Sequence, residues 1–212
     1  MRGQRAGHPV FAAFYDFLTA GAERGPLAPL RRNLVDGLHG SVLDVGAGTG
    51  ANFPFLAVRS LAQPSLTVYA AEPDPHMLRR ARRRAARLGL PVTFLPSSAE
   101  ALPLGDACMD AVLLTLVLCT VSAPAVALAE VRRVLRPGGT LRFLEHVRVE
   151  GSAGRWQQRL ARPWAAMAGG CRLDRPTGDT LRQAGFASID WTDVPAPFPV
   201  LRVIAGSARK VG

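Results

Sequence analysis

The sequence predicts an α/β protein whose mostly parallel sheet carries helices on both faces. Short β-branched segments alternate with helical segments along most of the 212 residues, and strands that alternate with helices at this spacing form parallel sheets. The loop PAPFP at 195–199 joins the last two predicted strands tightly, so we expect these strands to be antiparallel neighbours. With 48% hydrophobic residues, the chain can bury the core of a single domain covering 1–212.

Seven segments have the composition of strands. The first is a short apolar run closed by glycines, and the second ends at Glu72. The turn RPGG at 136–139 ends a helix and starts the fifth strand. The predicted strands cover residues 42–45, 66–71, 92–95, 110–114, 140–145, 188–194 and 201–208.

Helical segments precede and separate these strands. Pro54 must lie in the first turn of its helix, because proline is not tolerated further in, and Gly89 ends the next helix. Residues 1–38 are predicted to form an N-terminal helical cap, and 147–175 a helical insertion. The predicted helices cover residues 8–22, 29–38, 51–58, 75–88, 124–135 and 177–184.

The formal net charge of +10 comes almost entirely from arginine, since Lys210 is the only lysine. A basic balance can indicate a polyanionic partner, but arginine with abundant alanine is also typical of a compositional bias of the whole genome. The helix MLRRARRRAARLG at 77–89 is predicted to present a solvated face, because no aromatic residues alternate with its arginines to stack bases. We therefore expect no nucleic-acid partner.

The three cysteines, Cys108, Cys119 and Cys171, lie far apart without a CxxC pair. Their number and spacing predict neither a disulfide framework nor a metal site. The apolar patch near the N-terminus is too short and too mixed to span a bilayer. We expect a soluble cytoplasmic protein; membrane-surface contact is not predicted, and the oligomeric state is left open.

The stretch VLDVGAGTGANFPFL at 42–56 contains a GxGxG turn formed by Gly46, Gly48 and Gly50. Such a turn between a strand and a helix holds either the pyrophosphate of a dinucleotide or the amino-acid end of S-adenosylmethionine. Glu72, at the end of the second strand, is suited to two free ribose hydroxyls and would repel a 2′-phosphate, which disfavours NADP. NAD and S-adenosylmethionine both remain at this point.

Asp44 favours S-adenosylmethionine. A carboxylate two residues before the first glycine is well placed for a cationic amino group, whereas a pyrophosphate would repel it. The helix after Glu72 begins with Met77 directed towards the adenine, and the chain closes with a strand pair instead of a second mononucleotide-binding half.

At these residues the sequence resembles the class I S-adenosylmethionine-dependent methyltransferases with a type-11 methyltransferase domain. The motifs VLDVGAGTG, AAEPDPHML, SSAEALPL, AVLLTLVLC and EVRRVLRPGG follow one another in the family's order. The phrases TLVLCTV, EVRRVLRPGGTLRFLEH and GCRLDRPT are most similar to the small thiol S-methyltransferase-like group. The resemblance implies a Rossmann-like, doubly wound, seven-stranded sheet with an antiparallel last strand, and S-adenosyl-L-methionine as cofactor.

These motif positions imply the cofactor site. Asp44 replaces a glutamate that is frequent in the family, and Ser98 stands where many members have an aspartate. The backbone of Ala99 and the side chain of Glu100 are expected to bind adenine in its place. The predicted cofactor-binding residues are Asp44, Gly46, Ala47, Gly48, Gly50, Asn52, Glu72, Pro73, Met77, Ser98, Ala99, Glu100, Thr115 and Leu116.

The acceptor pocket is expected beyond the carboxyl ends of the strands, beside the N-terminal helix and the insertion. His146, which follows the fifth strand, is the candidate catalytic base; the alternative is a histidine that anchors the insertion through hydrogen bonds. Glu145 is predicted to pair with arginines of the insertion. The predicted pocket residues are Phe11, Tyr15, Cys119, Trp156 and Trp164.

These observations predict an enzyme that moves a methyl group from S-adenosylmethionine to a small-molecule nucleophile, such as a thiol, and releases S-adenosyl-L-homocysteine. Alignment supplies most of the rate of such an in-line displacement, and a dry apolar pocket favours a thiolate acceptor. The alternatives are a phospholipid-amine or quinone methyltransferase at a membrane surface and, more distantly, an NAD-dependent oxidoreductase or a non-enzymatic nucleic-acid-binding adaptor.

Overall fold

A computed structural model describes residues 25–194 and 201–212. The predicted helix 8–22, with Phe11 and Tyr15, and the loop 195–199 lie outside the described residues. In the part of the chain that is described, none of the helices has the length and apolar character needed to cross a bilayer.

Helices and strands alternate along the described residues. The helices are α1 (Leu27–Val35), α2 (Phe53–Ala62), α3 (Pro75–Leu88), α4 (Pro124–Val134), α5 (Gly151–Met167) and α6 (Thr177–Gln183). The strands are β1 (Ser41–Val45), β2 (Thr67–Ala71), β3 (Val92–Leu95), β4 (Met109–Thr115), β5 (Leu135–His146), β6 (Ser188–Val194) and β7 (Val203–Arg209).

The strands form a seven-stranded sheet in the order β3-β2-β1-β4-β5-β7-β6. Strands β1 to β5 pair in parallel, and β7 is antiparallel to both of its neighbours, β5 and β6. The predicted fold class, including the antiparallel last strand, is therefore confirmed. The strand order reverses between β1 and β4, and ligands bind open α/β sheets at this switch point, beyond the carboxyl ends of the strands.

Hydrophobic cores cover both faces of the sheet. Leu43 and Val45 of β1 pack in one core, and Val42 packs in the other. This division follows from the two-residue period of a strand, which sends successive side chains to opposite faces. Because both faces are covered, β1 and β4 are buried along nearly their whole length instead of at alternate residues.

The helix signals in the sequence place α3 where it was predicted. The Asp74 carboxylate accepts hydrogen bonds from the amides of His76 and Met77, and Gly89 ends the helix at a φ of 63°. One prediction needs correction: RPGG at 136–139 does not precede the fifth strand but lies within β5. The register shifts between the pairs Met109–Leu135 and Ala111–Thr140, so the turn residues bulge out of a strand that has already begun.

Candidate functional site

The glycine turn follows β1 and leaves open space above it. Gly46 and Gly48 have φ values of 64° and 57°, a region that residues with a Cβ rarely adopt. A Cβ on Gly46 would lie 2.6 Å from Cγ2 of Val117, so this glycine allows the turn after β4 to pack closely. A Cβ on Gly48 would meet nothing nearer than the Gly46 carbonyl at 3.9 Å. The turn can therefore admit a ligand next to Gly48.

Asp44, at the end of β1, is fully buried in a polar cluster. Its Oδ1 accepts a hydrogen bond from Nδ2 of Asn52 at 2.9 Å, and the same amide donates to Oγ1 of Thr115 at 3.1 Å. Nη1 of the buried Arg31 donates to Oδ1 of Asn52 at 2.7 Å and to Oγ1 of Thr115 at 2.9 Å. This cluster ties α1, β1, β4 and the start of α2 together.

The second carboxylate oxygen of Asp44 can accept a hydrogen bond from a ligand. Oδ2 is buried and has no hydrogen-bond partner among the described residues. Burial raises the pKa of Asp44 to about 7, although the Asn52 hydrogen bond and the Arg31 charge act in the opposite direction. A cationic amino group at Oδ2 would stabilise the carboxylate and remove this penalty.

Glu72, which follows β2, holds the glycine turn from the other side. Its Oε2 accepts a hydrogen bond from the amide of Gly48 at 2.9 Å, and its Oε1 accepts one from the amide of Asp74 at 2.8 Å. Burial raises the pKa of this carboxyl group, while the two backbone amides lower it. Each carboxylate oxygen keeps a second lone pair that can accept a hydroxyl.

Two further predicted cofactor-binding residues, Met77 and Pro73, lie close to Glu72 in the chain and differ in solvent exposure. Met77 is buried in the first turn of α3, whereas Pro73 is exposed.

The loop after β3 is fastened to the start of α4. Oε1 of Glu100 accepts hydrogen bonds from the amides of Ser122 and Ala123, at 2.9 and 3.3 Å. Burial raises the pKa of Glu100, but hydrogen bonds from its own backbone amide, from the amides of Ala123 and Ser122 and from the Ser98 side chain outweigh it and lower the pKa overall. The Glu100 side chain is thus engaged within the protein. Ala99 is buried beside it, and the buried hydroxyl of Ser97 has no hydrogen-bond partner among the described residues.

The turn after β4 is held by Glu145, a fully buried residue near the end of β5. Its Oε1 accepts hydrogen bonds from the amides of Val117 and Leu118 at 2.8 and 3.0 Å. Leu116, in the same turn, has a φ of 61° without being glycine. Glu145 was expected to pair with arginines of the insertion; its carboxylate binds the backbone of this turn instead. Burial raises its pKa to about 7.

Cys119, His146 and Cys171 come together at the edge of the sheet where the sequence predicts the acceptor pocket, called the acceptor edge below. Sγ of Cys171 lies 3.6 Å from Nδ1 of His146, and one ligand atom from each of the three residues lies within 4.8 Å of the others. A hydrogen bond with Cys119, together with the hydrogen bond and the charge of His146, lowers the pKa of Cys171 although burial raises it. The Trp164 side chain also acts to lower the pKa of Cys171. Trp156 is 57% exposed.

The structure therefore brings six of the twenty predicted site residues into two connected groups. Asp44, Asn52 and Thr115 share hydrogen bonds near the glycine turn, and Cys119, His146 and Trp164 meet around Cys171. Val117 joins the groups, because it packs on Gly46 and lies two residues before Cys119.

Sequence reasoning missed Arg31 and undervalued Cys171. Nothing in the segment LAPLRRNLV distinguishes Arg31 from the exposed Arg32 beside it, because the burial of Arg31 depends on how α1 packs against α2 and β5. Cys171 did carry a signal, since it lies within the phrase GCRLDRPT that carried the family resemblance.

Comparison with known proteins identifies the family. The chain is 38% identical to the human thiol S-methyltransferase TMT1B over 178 residues, which make up 80% of this chain and 70% of that protein. The chain belongs to the class I S-adenosylmethionine-dependent methyltransferases. Residues 43–143 of this methyltransferase match the family described as "Methyltransferase domain". The predicted family, enzyme class and cofactor are confirmed.

Two further relatives show how far the similarity extends. The methyltransferase is 40% identical to the demethylmenaquinone methyltransferase of Thermus thermophilus over 104 residues, 49% of this chain and 46% of that one. A solved structure from Thermotoga maritima, described as a methyltransferase that acts possibly on histamine, superposes with a TM-score of 0.70 at 23% identity, covering 95% of this chain and 97% of that one. This second likeness bears on the fold alone.

The residues around the glycine turn fit S-adenosylmethionine. The unpaired Oδ2 of Asp44 can accept a hydrogen bond from the amino group of the cofactor, and Glu72 can accept hydrogen bonds from the ribose hydroxyls. The open space next to Gly48 lets the cofactor lie against the backbone of the turn. A dinucleotide would place a pyrophosphate next to the buried acid at position 44, where it would be repelled.

Cofactor affinity should depend on pH through Asp44. Because the pKa of this carboxyl group is about 7, it is protonated below that pH and cannot pair with the cationic amino group. We expect the dissociation constant of S-adenosylmethionine to rise about tenfold from pH 8 to pH 6, measured by titration calorimetry. The variant Asp44→Asn should bind weakly with a flat profile.

A matched control is Asp36→Asn, which changes an exposed aspartate that lies outside the Asp44 cluster. It should keep the pH profile of the natural protein. A cofactor affinity that does not change with pH in the natural protein would contradict the role of Asp44.

The stability of the ligand-free protein should depend on pH through the ionisation of Glu145. Its pKa of about 7 in the folded protein exceeds the value of about 4.3 in an unfolded chain, so the folded state binds the proton more tightly. Stability contributed by this group is present at acid pH and is lost as the pH rises from about 4 to about 7. In Glu145→Gln, the melting temperature should fall less steeply over this range.

Calorimetric or circular-dichroism melting between pH 4.5 and 8 measures this slope for both proteins. Asp44 also makes stability fall with rising pH, and it does so in both proteins. Only the difference between the two slopes therefore reports on Glu145. Parallel curves would show that Glu145 is not the titrating group. The variant Glu145→Ala, which leaves the amides of Val117 and Leu118 without their acceptor, should lose about 1–3 kcal/mol per amide at acid pH.

Proposed function

We propose that this methyltransferase transfers the methyl group of S-adenosylmethionine to the thiol of a small apolar molecule. The observation that carries the proposal is the extent of the match to the human thiol S-methyltransferase. That match spans 178 residues, whereas the family domain covers only 43–143. The likeness therefore includes residues outside the matched domain, which is where we propose that the acceptor binds.

The match to the demethylmenaquinone methyltransferase gives little support to a quinone as the acceptor. It covers 49% of this chain, about the size of the cofactor-binding domain alone. A shared cofactor accounts for a likeness of that size, so it favours no particular acceptor. We therefore retain the quinone and the phospholipid amine only as outcomes of the test below.

S-adenosylmethionine supplies an electrophilic methyl group on a cationic sulfonium. We assign Oδ2 of Asp44, which has no hydrogen-bond partner among the described residues, to the amino group of the cofactor. The remaining lone pairs of Glu72 are assigned to the ribose hydroxyls, and the open space at Gly48 lets the cofactor approach the backbone closely. Asn52, Thr115 and Arg31 act on Asp44 by fixing its orientation. Their shared task is alignment, which provides most of the rate in an in-line displacement.

His146 is assigned as the group that accepts the proton of the acceptor thiol. It lies at the carboxyl end of β5, partly exposed, beside the apolar group formed by Cys119, Cys171 and Leu173. As the new carbon–sulfur bond forms, the old one breaks, and its electron pair leaves with the sulfur of S-adenosylhomocysteine. Opposite charges are neutralised in this step, so the apolar surroundings favour it by keeping water away.

A reducing location fits this chemistry, and we infer that the protein acts in the cytoplasm. Acceptor thiols, like the neighbouring thiols of Cys119 and Cys171, remain reduced there. Incubation of metal-free protein in a glutathione buffer of cytosolic potential, followed by thiol counting, should leave all three cysteines titratable.

The proposed acceptor class can be tested directly with a panel. Thiols of increasing apolarity, phenols including a demethylquinol, primary amines and phosphatidylethanolamine vesicles are each incubated with S-adenosylmethionine. Release of S-adenosylhomocysteine is the readout. We expect apolar thiols to give a kcat/KM at least tenfold above every other class, because a thiolate forms readily near neutral pH. A quinol or a lipid amine as the best substrate would replace the proposal with the corresponding alternative.

The proton-accepting role of His146 predicts a particular pH dependence. His146→Gln should lower kcat for a thiol acceptor about 100-fold near pH 7, the usual contribution of a general base. The loss should shrink above pH 9, because a thiol with a pKa of about 8.5 then ionises without help. Equal losses at both pH values would instead indicate that His146 anchors the insertion. His39→Gln, an exposed histidine on the loop before β1, is the matched control.

A further inference from the structure

The group formed by Cys119, His146 and Cys171 has the composition and geometry of a metal site. The three residues come from separate parts of the chain: the turn after β4, the end of β5 and the segment after α5. Among the described residues, no other group of three such side chains brings its potential ligand atoms as close together. The spacing of the cysteines along the sequence predicted no metal, but this prediction took no account of which residues the fold brings together.

The distances suit a tetrahedral ion. Sulfur and nitrogen ligands at about 2.3 Å and 2.0–2.1 Å from zinc lie roughly 3.5–3.8 Å from one another. Sγ of Cys171 and Nδ1 of His146 are already 3.6 Å apart. All three ligand atoms lie within 4.8 Å of one another, so closure needs movements of about one ångström at most. Changes of side-chain torsion supply such movements without moving the backbone.

Backbone contacts hold the ligands near one another before any ion binds. The amide of Arg172 donates to the carbonyl of Cys119 at 2.9 Å, which places residue 171 against the turn after β4. Nη1 of Arg175 donates to the carbonyls of Leu118 and Val121 and clamps the same two segments. A site preorganised in this way loses little conformational freedom on binding.

The surroundings favour a neutral complex. Cys119 and Cys171 are 1% and 7% exposed and pack with the buried Leu173. An isolated thiolate is costly in such a place. Two thiolates and one neutral imidazole around a divalent ion carry no net charge. Soft sulfur ligands with one imidazole also select zinc over hard ions such as magnesium.

We propose that Cys119, His146 and Cys171 bind a Zn²⁺ ion through two thiolates and an imidazole. Three protein ligands leave one tetrahedral position for water or for an incoming molecule, as in catalytic zinc sites. His146 cannot bind the ion and accept a proton through the same nitrogen, so the pH prediction for His146→Gln refers to protein freed of metal by a chelator.

Zinc binding can be measured without cofactor or acceptor. Reduced, chelator-treated protein is titrated with Zn²⁺ against a chromophoric chelator, and with Co²⁺ to detect the thiolate-to-metal charge-transfer band. We expect one equivalent of Zn²⁺, a Co²⁺ spectrum typical of tetrahedral sulfur ligation, and a rise in melting temperature with Zn²⁺.

The chain offers a matched control in its third cysteine. Cys108, on the loop before β4, hydrogen-bonds to the carbonyl of Gly105 and is not part of the cluster. Cys108→Ser should bind one equivalent unchanged. Cys119→Ser, Cys171→Ser and His146→Ala should each weaken Zn²⁺ binding by more than about 100-fold, the upper end of what outer-shell changes cause. Circular dichroism checks that each variant is folded.

The outcomes separate this proposal from the methyl-transfer proposal. Absence of stoichiometric binding by the reduced natural protein, or full binding by a folded Cys171→Ser protein, would overturn the metal site and leave thiol methylation untouched. If a variant fails to fold, alkylation of the natural protein gives the same answer. Bound Zn²⁺ should then protect Cys119 and Cys171 from the alkylating reagent, while Cys108 remains reactive. Alkylation of all three at unchanged rates would also refute the site.

Discussion

The buried carboxylate of Glu145 is the constraint on which both sides of the site depend. It accepts the amides of Val117 and Leu118 in a turn where Leu116 adopts a left-handed conformation. That conformation is unfavourable for leucine, so it persists only because the surrounding contacts enforce it. The turn then sets Val117 against the glycine turn and brings Cys119 to the acceptor edge.

Two acids in this protein are kept in the core at a cost to stability. Burial raises the pKa values of Asp44 and Glu145 to about 7, which means that neither charge is fully compensated in the protein alone. One oxygen of each carboxylate lacks a hydrogen-bond partner among the described residues. Perturbed acids of this kind cluster at functional sites. We propose a cationic ligand for Asp44, whereas Glu145 binds backbone amides.

The acceptor edge is assembled from segments distant along the chain. The segment 171–175 docks on the turn after β4 through the Arg172 amide and the Arg175 side chain. The chemistry of this edge, with two thiols, an imidazole and an indole, therefore depends on a docking contact as much as on the sheet. We propose this edge as the place where the methyl acceptor binds, since a fold by itself does not specify the substrate.

The sequence by itself determined the sheet, its order of elements and the position of the cofactor turn. These follow from local rules: apolar period, helix caps such as Asp74, and a glycine turn between a strand and a helix. It also pointed to Asp44 and Glu72, because their places at strand ends are set by the chain alone. Only the tertiary structure decided that Arg31 is buried, that Glu145 binds a backbone turn, and that Cys171 reaches His146. Each of these contacts joins residues that are far apart in the chain or in different elements, and the packing that creates them leaves no periodic trace in the sequence.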